Sequence, residues 1–330
     1  MNRYQDKARG CLMGLAVGDA LGSPTEGKTP AEIFSKWGRV SDFLSDDQFG
    51  SDDTEYALFS AKLLLKHKKE LTSSLVAEAW RNEIINSNSA YKGAGFSEII
   101  TIHNLQKGIE PPYSGMHLHS WSDGLAMRAA PFGIVSAGDT QLAARLVKID
   151  GSVSHSGEGI FGGQAVAAAV ASAMNNSSQK EIFESALNVI PSDSWTFNAI
   201  SKAIEIGEQE VNVWSALEKL HKELACTYYY WTDIAPEAVG IAFGIIAASK
   251  GNFEEAVLGA VNIGRDADTI AAISGAICGA MNGINVIPEK WLKRISVAQG
   301  TCIKVVKDIN ILDVADKLAE LSYEWSNSNE

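Results

Sequence analysis

Cysteines, cationic side chains and long apolar runs are all scarce in this chain, and each scarcity removes a class of protein. Its 330 residues hold four cysteines, Cys11, Cys226, Cys278 and Cys302, with no paired metal-ligand spacing, which speaks against a disulfide scaffold or a thiolate zinc site. Three of them fall in apolar helical stretches, and all four read as small buried hydrophobes in a reducing compartment. Lys and Arg total 28 against 40 Asp and Glu, giving a formal net charge of -12, so no nucleic-acid partner is expected. A phosphorylated ligand stays allowed, because a divalent cation or a helix N-terminus can hold an anion on a negative protein. The polar stretch Met1 to Arg9 and the glycine-broken run Leu12 to Val17 make neither a secretory signal nor a membrane span. No membrane partner and a cytoplasmic location are therefore expected. No compositional break marks a linker either, and with 46% apolar and 21% charged residues the chain 1–330 reads as a single, mostly α-helical domain.

What the chain does have is two acidic clusters of the same make-up. Ser51-Asp52-Asp53-Thr54 precedes the apolar run Tyr56 to Leu65, and Gly264-Arg265-Asp266-Ala267-Asp268-Thr269 precedes the run Ile270 to Gly283. Asp, Ser and Thr cap helices, and acidic groups favour the positive end of the helix dipole, so capping accounts for either cluster alone. One carboxylate would serve that purpose. A second beside it raises repulsion unless a proton or a cation relieves it, and two such sets in one chain point to a hard metal ion.

Glycines organise the two flanking segments. Gly10, Gly14, Gly18 and Gly22 recur every fourth residue in the helical run from Tyr4, and Gly275, Gly279 and Gly283 repeat that spacing after Thr269. Each interior glycine costs about 1 kcal/mol against alanine, so a row of them implies a bare face for close helix packing. If the two faces meet, Glu26 comes near Asp266. Asp19 reads as a buried carboxylate satisfied by local backbone amides. From Thr29 to Gly50 the periodicity fades, which predicts a long surface connection.

The middle of the chain carries a glycine-rich turn, Tyr91 to Ser97, that could hold an anion at a helix start or simply turn the chain. His117 and His119 read as loop residues. Ser122 to Pro131 reads as a capped helix broken by proline, with Asp123 as a candidate partner for Arg128. His155, among small residues at a helix start, is either structural or open to a ligand. Cys226 to Asp233, with Tyr228, Tyr229, Tyr230 and Trp231, reads as a strand or loop packed on the core, with stacking on a flat ligand as the alternative.

Taken in order, Gly14 to Gly22 with Glu26, Ser51 to Thr54, Asp123-Gly124 with Met127-Arg128, His155, and Gly264 to Thr269 resemble the ADP-ribosylglycohydrolase family, over about Lys7 to Gly283. The resemblance implies an all-α orthogonal helical bundle and two divalent ions, Mg²⁺ or Mn²⁺, that assist cleavage of the N- or O-glycosidic bond of an ADP-ribosyl adduct. It implies metal ligands at Ser51, Asp52, Asp53, Asp266, Asp268, Thr269 and Glu26, with Glu26, Asp52, Asp53 and Asp266 as the catalytic carboxylates. Gly93, Gly95, Ser97, Ser122, Asp123, Gly124, Met127 and His155 would bind substrate. The partner would be an ADP-ribosylated protein or a small ribosyl compound.

Three positions depart from the family pattern. Ser51 stands where Thr is usual, and its hydroxyl is retained. Gly93-Ala94-Gly95 lacks an aspartate found in members acting on nitrogenase reductase, and Asp123 replaces the usual Asn. A negative charge beside a pyrophosphate is unfavourable, which brings in a smaller N-ribosyl or nucleoside-like substrate as the alternative. A non-catalytic binding or structural role and phosphoryl hydrolysis are further readings.

Overall fold

The structure is a computed structural model that describes residues 2–87 and 91–327. Sixteen α-helices and no β-sheet are found among the described residues. The first half holds α1 (Arg3–Gly22), α2 (Pro30–Trp37), α3 (Asp52–His67), α4 (Ser73–Ala79), α5 (Phe96–Gln106), α6 (Ala130–Val135) and α7 (Thr140–Gly151). Then follow α8 (Glu158–Met174), α9 (Gln179–Leu187), α10 (Trp195–Gln209), α11 (Val213–Leu224) and α12 (Ala235–Ala248). The chain closes with α13 (Phe253–Ile263), α14 (Ala267–Asn282), α15 (Glu289–Arg294) and α16 (Ile311–Asn327). The fold is all-α, as the sequence implies.

Burial sorts these helices into layers. In α12 and from Ala267 to Ala280 of α14 every residue is buried, and α8 is nearly so, because these helices are apolar or small all round and must lie at the centre. Helices with one apolar face, such as α11 and α16, lie outside them.

The central pair is α1 and α14, packed antiparallel along the glycine faces. A Cβ on Gly14 would lie 2.2 Å from the Gly275 carbonyl oxygen, and one on Gly279 would lie 2.0 Å from that of Gly10. Backbone meets backbone along the whole length, so even alanine is too large. Lys7 is buried beside this pair and donates to the carbonyls of Ala173, Ala280 and Met281 at 2.6, 2.8 and 3.1 Å, closing the ends of α8 and α14.

Four expectations need correction. The connection Thr29 to Gly50 contains α2, started by a capping box between Thr29 and Glu32 with Pro30 in its first turn; at eight residues it is a short element inside a polar stretch, with Ile33 its one buried side chain. Ser122 to Ala129 is a run of turns, not a helix, and Pro131 opens α6 instead of interrupting one. The aromatic stretch is a loop whose side chains stand out from the core, with Tyr228 86% and Tyr230 94% exposed. Cys226 and Cys302 also lie outside helices, so two of the four buried cysteines, not three, are helical.

Candidate active site

The antiparallel pairing of α1 and α14 brings the end of one helix to the start of the other. Past α1 the chain turns through Ser23 to Thr25 and reaches Glu26 beside the loop that opens α14. Two backbone hydrogen bonds fasten the turns together, Gly27 N–H to Arg265 O and Arg265 N–H to Lys28 O, both 2.8 Å. Gly264 has φ +72°, and a Cβ there would sit 2.0 Å from the Lys28 carbonyl oxygen, so glycine is required by conformation and by space. As a result Glu26, Asp266 and Asp268 each offer a carboxylate oxygen within 4.8 Å of the others.

Arg265 sits in the middle of this acidic turn and faces away from it. Its guanidinium makes a two-point pair with Glu237 of α12 at 2.5 and 3.1 Å, and Glu237 also accepts the Cys226 N–H at 2.6 Å. The turn is thus anchored to the core, and its cation is spent on that anchor.

The second acidic cluster arrives on α3. Asp19 of α1 accepts the Ser51 N–H and hydroxyl at 2.7 and 2.6 Å, and the Thr54 N–H at 3.0 Å and hydroxyl besides. Asp19 is therefore the cap of α3 supplied from another helix; its amide partners are distant in sequence, not local as expected. With the helix start satisfied from outside, Asp52 and Asp53 are released from capping and enter the pocket. The Thr269 hydroxyl donates to Asp53 Oδ1 at 3.3 Å, so the two clusters meet across 216 positions of sequence. Asp53 Oδ2 is buried and has no partner.

Around these residues lies a pocket of about 360 Å³. Eight carboxylates line it, Glu26, Asp52, Asp53, Glu98, Asp123, Asp233, Asp266 and Asp268, and among the described residues no Lys or Arg does. Burial pushes the carboxyls of Asp53, Asp123, Asp266 and Asp268 well above the ordinary range, and neighbouring carboxylates add to the effect. Asp52 is pushed up to about 7, by burial first and then by the Asp19 charge. Glu26 stands exposed at the rim, yet partial desolvation and then Asp233 raise it as well. Such a set, all oxygen and mutually repelling, fits hard divalent ions.

Against one wall of the pocket lies a network centred on Arg128. Arg128 Nε donates to Asp150 at 3.0 Å and Nη1 to Glu98 at 3.3 Å, while Nη2 donates to the Ser154 hydroxyl at 2.8 Å. Asp123 is not its partner, contrary to expectation. His155 is fully enclosed, with Ser122 Oγ at 3.0 Å and Ser154 Oγ at 2.7 Å from its two ring nitrogens, and burial holds its pKa well below the usual value.

Of the substrate residues expected from sequence, Gly93, Gly95, Ser122, Asp123, Gly124 and Met127 line the pocket. The structure places Ser97 and His155 one layer behind it, Ser97 accepting the Ser122 N–H at 3.1 Å and donating to the His119 carbonyl. Ser51 lies beside the pocket, its hydroxyl donating to Asp19 and keeping lone pairs for a further contact. Glycine at 93 and 124 permits close approach, since a Cβ there would strike Asp52 at 2.5 Å or Glu98 Oε1 at 2.2 Å. Phe96, inside the glycine-rich turn, and Trp231, read in sequence as a stacking alternative, also line the pocket, while sequence reading missed Glu98 and Asp233. Glu98 was legible as an acidic residue just past the glycine turn, and Asp233 as the acid closing the aromatic stretch.

Comparison with known proteins agrees with this architecture. The sequence model of the ADP-ribosylglycohydrolase family matches residues 1–328. An uncharacterised protein of Archaeoglobus fulgidus is 37% identical over 298 residues, covering 88% of this chain and 91% of that one. The ADP-ribosylarginine hydrolase Tri1 of Serratia proteamaculans is 24% identical over 306 residues, 88% of this chain and 75% of its own. A solved structure titled ADP-ribosylglycohydrolase-related protein complex shares the fold, with a TM-score of 0.70 at 21% identity over 98% of this chain and 100% of that one.

Proposed function

The chain belongs to the ADP-ribosylglycohydrolase family, and from that premise we propose that it hydrolyses the N- or O-glycosidic bond joining the ribose of an ADP-ribosyl adduct, or of a smaller ribosyl compound, to its leaving group. The observation that carries this reading is the convergence of five carboxylates from three separate segments, Glu26, Asp52 with Asp53, and Asp266 with Asp268, in one pocket that no Lys or Arg among the described residues lines. The buried, unpartnered Asp53 Oδ2 is the clearest sign that a cation completes the set. Those five residues with Thr269 and Ser51 would hold two divalent ions, Mg²⁺ or Mn²⁺.

Bound there, the ions would supply charge to lower the pKa of a water and to fix vicinal hydroxyls of the sugar. The chain does the rest. Water adds to the anomeric carbon as the bond to nitrogen or oxygen breaks, and positive charge builds on the sugar in between. The surrounding carboxylates stabilise that charge. Glu26, at the rim and raised in pKa, is placed to take a proton from the water and pass it to the departing group. Gly93, Gly95 and Gly124 bring backbone close to the sugar, and the Arg128 network fixes Ser122 and Glu98 against it.

A smaller N-ribosyl substrate is the second reading, favoured by Asp123 and Asp233 on the lining, where they would repel a pyrophosphate. The test is release of free sugar from a panel of ADP-ribosylated peptides, O-acetyl-ADP-ribose and ribonucleosides, before and after chelation. Release that requires Mg²⁺ or Mn²⁺ and disappears in Glu26→Gln supports the proposal. Full activity of that variant, or calorimetry showing no binding of either ion, overturns it.

A further inference from the structure

The start of α5 already carries an anion of the protein's own. Gly93 to Gly95 form the turn that opens this helix, and a glycine turn followed by helix N–H groups is a common seat for phosphate. Here the Phe96 N–H donates to Asp233 Oδ2 at 3.3 Å, and a Cβ built on Gly95 would meet that oxygen at 2.8 Å. Glu98, in the first turn, adds a second carboxylate to the same end.

Asp233 is held in this place by its backbone. Its carbonyl accepts the Asp123 N–H at 3.4 Å, Ile234 pairs with Ser122 in a short antiparallel bridge, and the N–H of Ala235, the first residue of α12, donates to Trp121 O at 3.2 Å. Two more observations describe what the same wall lacks. Asp123 Oδ2 and Glu98 Oε2 are buried without a donor, and both residues line the pocket. The rings of Phe96 and Trp231 lie beside them, 5.4 Å between centroids. The wall calls for hydrogen-bond donors on a flat group, and a phosphate there would face three carboxylates.

We propose that Asp233 is a specificity-determining residue: by filling the anion seat of α5 it reserves the pocket for a phosphate-free, nucleoside-like N-ribosyl compound whose leaving group brings N–H donors to Asp123 and Glu98. This rests on the hydrolase reading above and narrows its substrate.

The experiment uses matched pairs that differ in phosphate, nicotinamide riboside with its 5′-phosphate and ribosylarginine with ADP-ribosylarginine, on the metal-loaded protein and on Asp233→Asn. The wild type is expected to favour the phosphate-free member by about tenfold or more in kcat/KM, and the variant to narrow that ratio by a similar factor. A wild-type preference for the phosphorylated member, or a ratio unmoved in the variant, overturns the assignment. Should Asp233→Asn fail to fold, Asp233→Ser keeps an acceptor for the Phe96 N–H without the charge. If no pair is cleaved, the wider substrate panel above decides the hydrolase reading, and calorimetry with ribose and ADP-ribose on the magnesium-loaded protein judges Asp233 separately. Tightening of ADP-ribose confined to the variant supports its role, and tighter ADP-ribose in the wild type refutes it.

Discussion

Two groups of buried carboxylates lie next to each other in this protein, and they are treated in opposite ways. Glu98 and Asp150 face Arg128, which sits between them and against the rings of Tyr56 and Trp80, 5.5 Å from each centroid. Asp52, Asp53, Asp266 and Asp268 face one another, and among the described residues no cation of the chain answers them. Arg265, the one cation in their own sequence cluster, is turned away from them onto buried Glu237. The first group faces a cation of the chain itself, with Glu98 Oε2 left without a donor at the pocket wall; the second faces no such cation, which is what a site awaiting cations requires.

The sharpest way to break the first group is Arg128→Met. It strands two buried carboxylates, so unfolding free energy measured in urea should fall by about 3–5 kcal/mol. If the loss were under about 1 kcal/mol, the division between the two groups would not hold. The second group should reveal itself through pH. Its carboxyls are raised in the folded state, with Asp52 near 7, so between the ordinary carboxylate range and about pH 7 the folded protein binds more protons than the unfolded chain. Stability of chelated protein must then fall as pH rises through that window, by about 1.4 kcal/mol per pH unit for each extra proton held. Urea titrations at pH 5 and 7 with chelator should show the fall, and saturating Mg²⁺ or Mn²⁺ should remove most of it.

A single carboxylate gives a smaller effect of the opposite sign to Arg128→Met. Asp268→Asn relieves repulsion, so the chelated variant should be more stable than wild type at pH 7.5 by about 1–3 kcal/mol while calorimetry shows weakened ion binding. Loss of stability in that variant would place Asp268 with the structural group. The smallest effect belongs to an ion pair on the surface. Lys293 and Glu289, 2.7 Å apart on α15 with side chains 74% and 78% exposed, should yield less than about 0.5 kcal/mol on Lys293→Ala, a baseline for the other three.

The site was legible in the sequence where spacing carried geometry. Glycines every fourth residue in two segments foretold that α1 and α14 would touch, and the meeting of Glu26 with Asp266 and Asp268 followed from that contact. Partners chosen by nearness in sequence were misread. Arg128 was matched to Asp123, five positions away, yet its ion-pair partners Asp150 and Glu98 come from 22 and 30 positions off, because turns replace the expected helix and aim the guanidinium inward. Asp19 misled for the same reason, its amide partners being 32 and 35 positions away. Asp233 gave no periodic signal, since it ends a loop whose position depends on the bridge between Ile234 and Ser122. The helix α2 escaped because it is eight residues long, although the Thr29 to Glu32 capping box and the Ile33, Phe34 and Trp37 spacing were there to read.

The glycine contact between α1 and α14 also governs how the protein can change over generations. Most cores accept a traded methyl group by shuffling neighbouring side chains, but where carbonyl oxygens abut there is nothing to shuffle, and a new methyl must be answered by sliding an entire helix. A lineage could drift freely on the exposed face of α16 and still keep its site. A single alanine at Gly22, whose Cβ would lie 2.4 Å from the Ala267 carbonyl oxygen and 2.5 Å from Asp268 Cα, would push the two sources of acid apart while leaving every carboxylate of the site untouched in the gene.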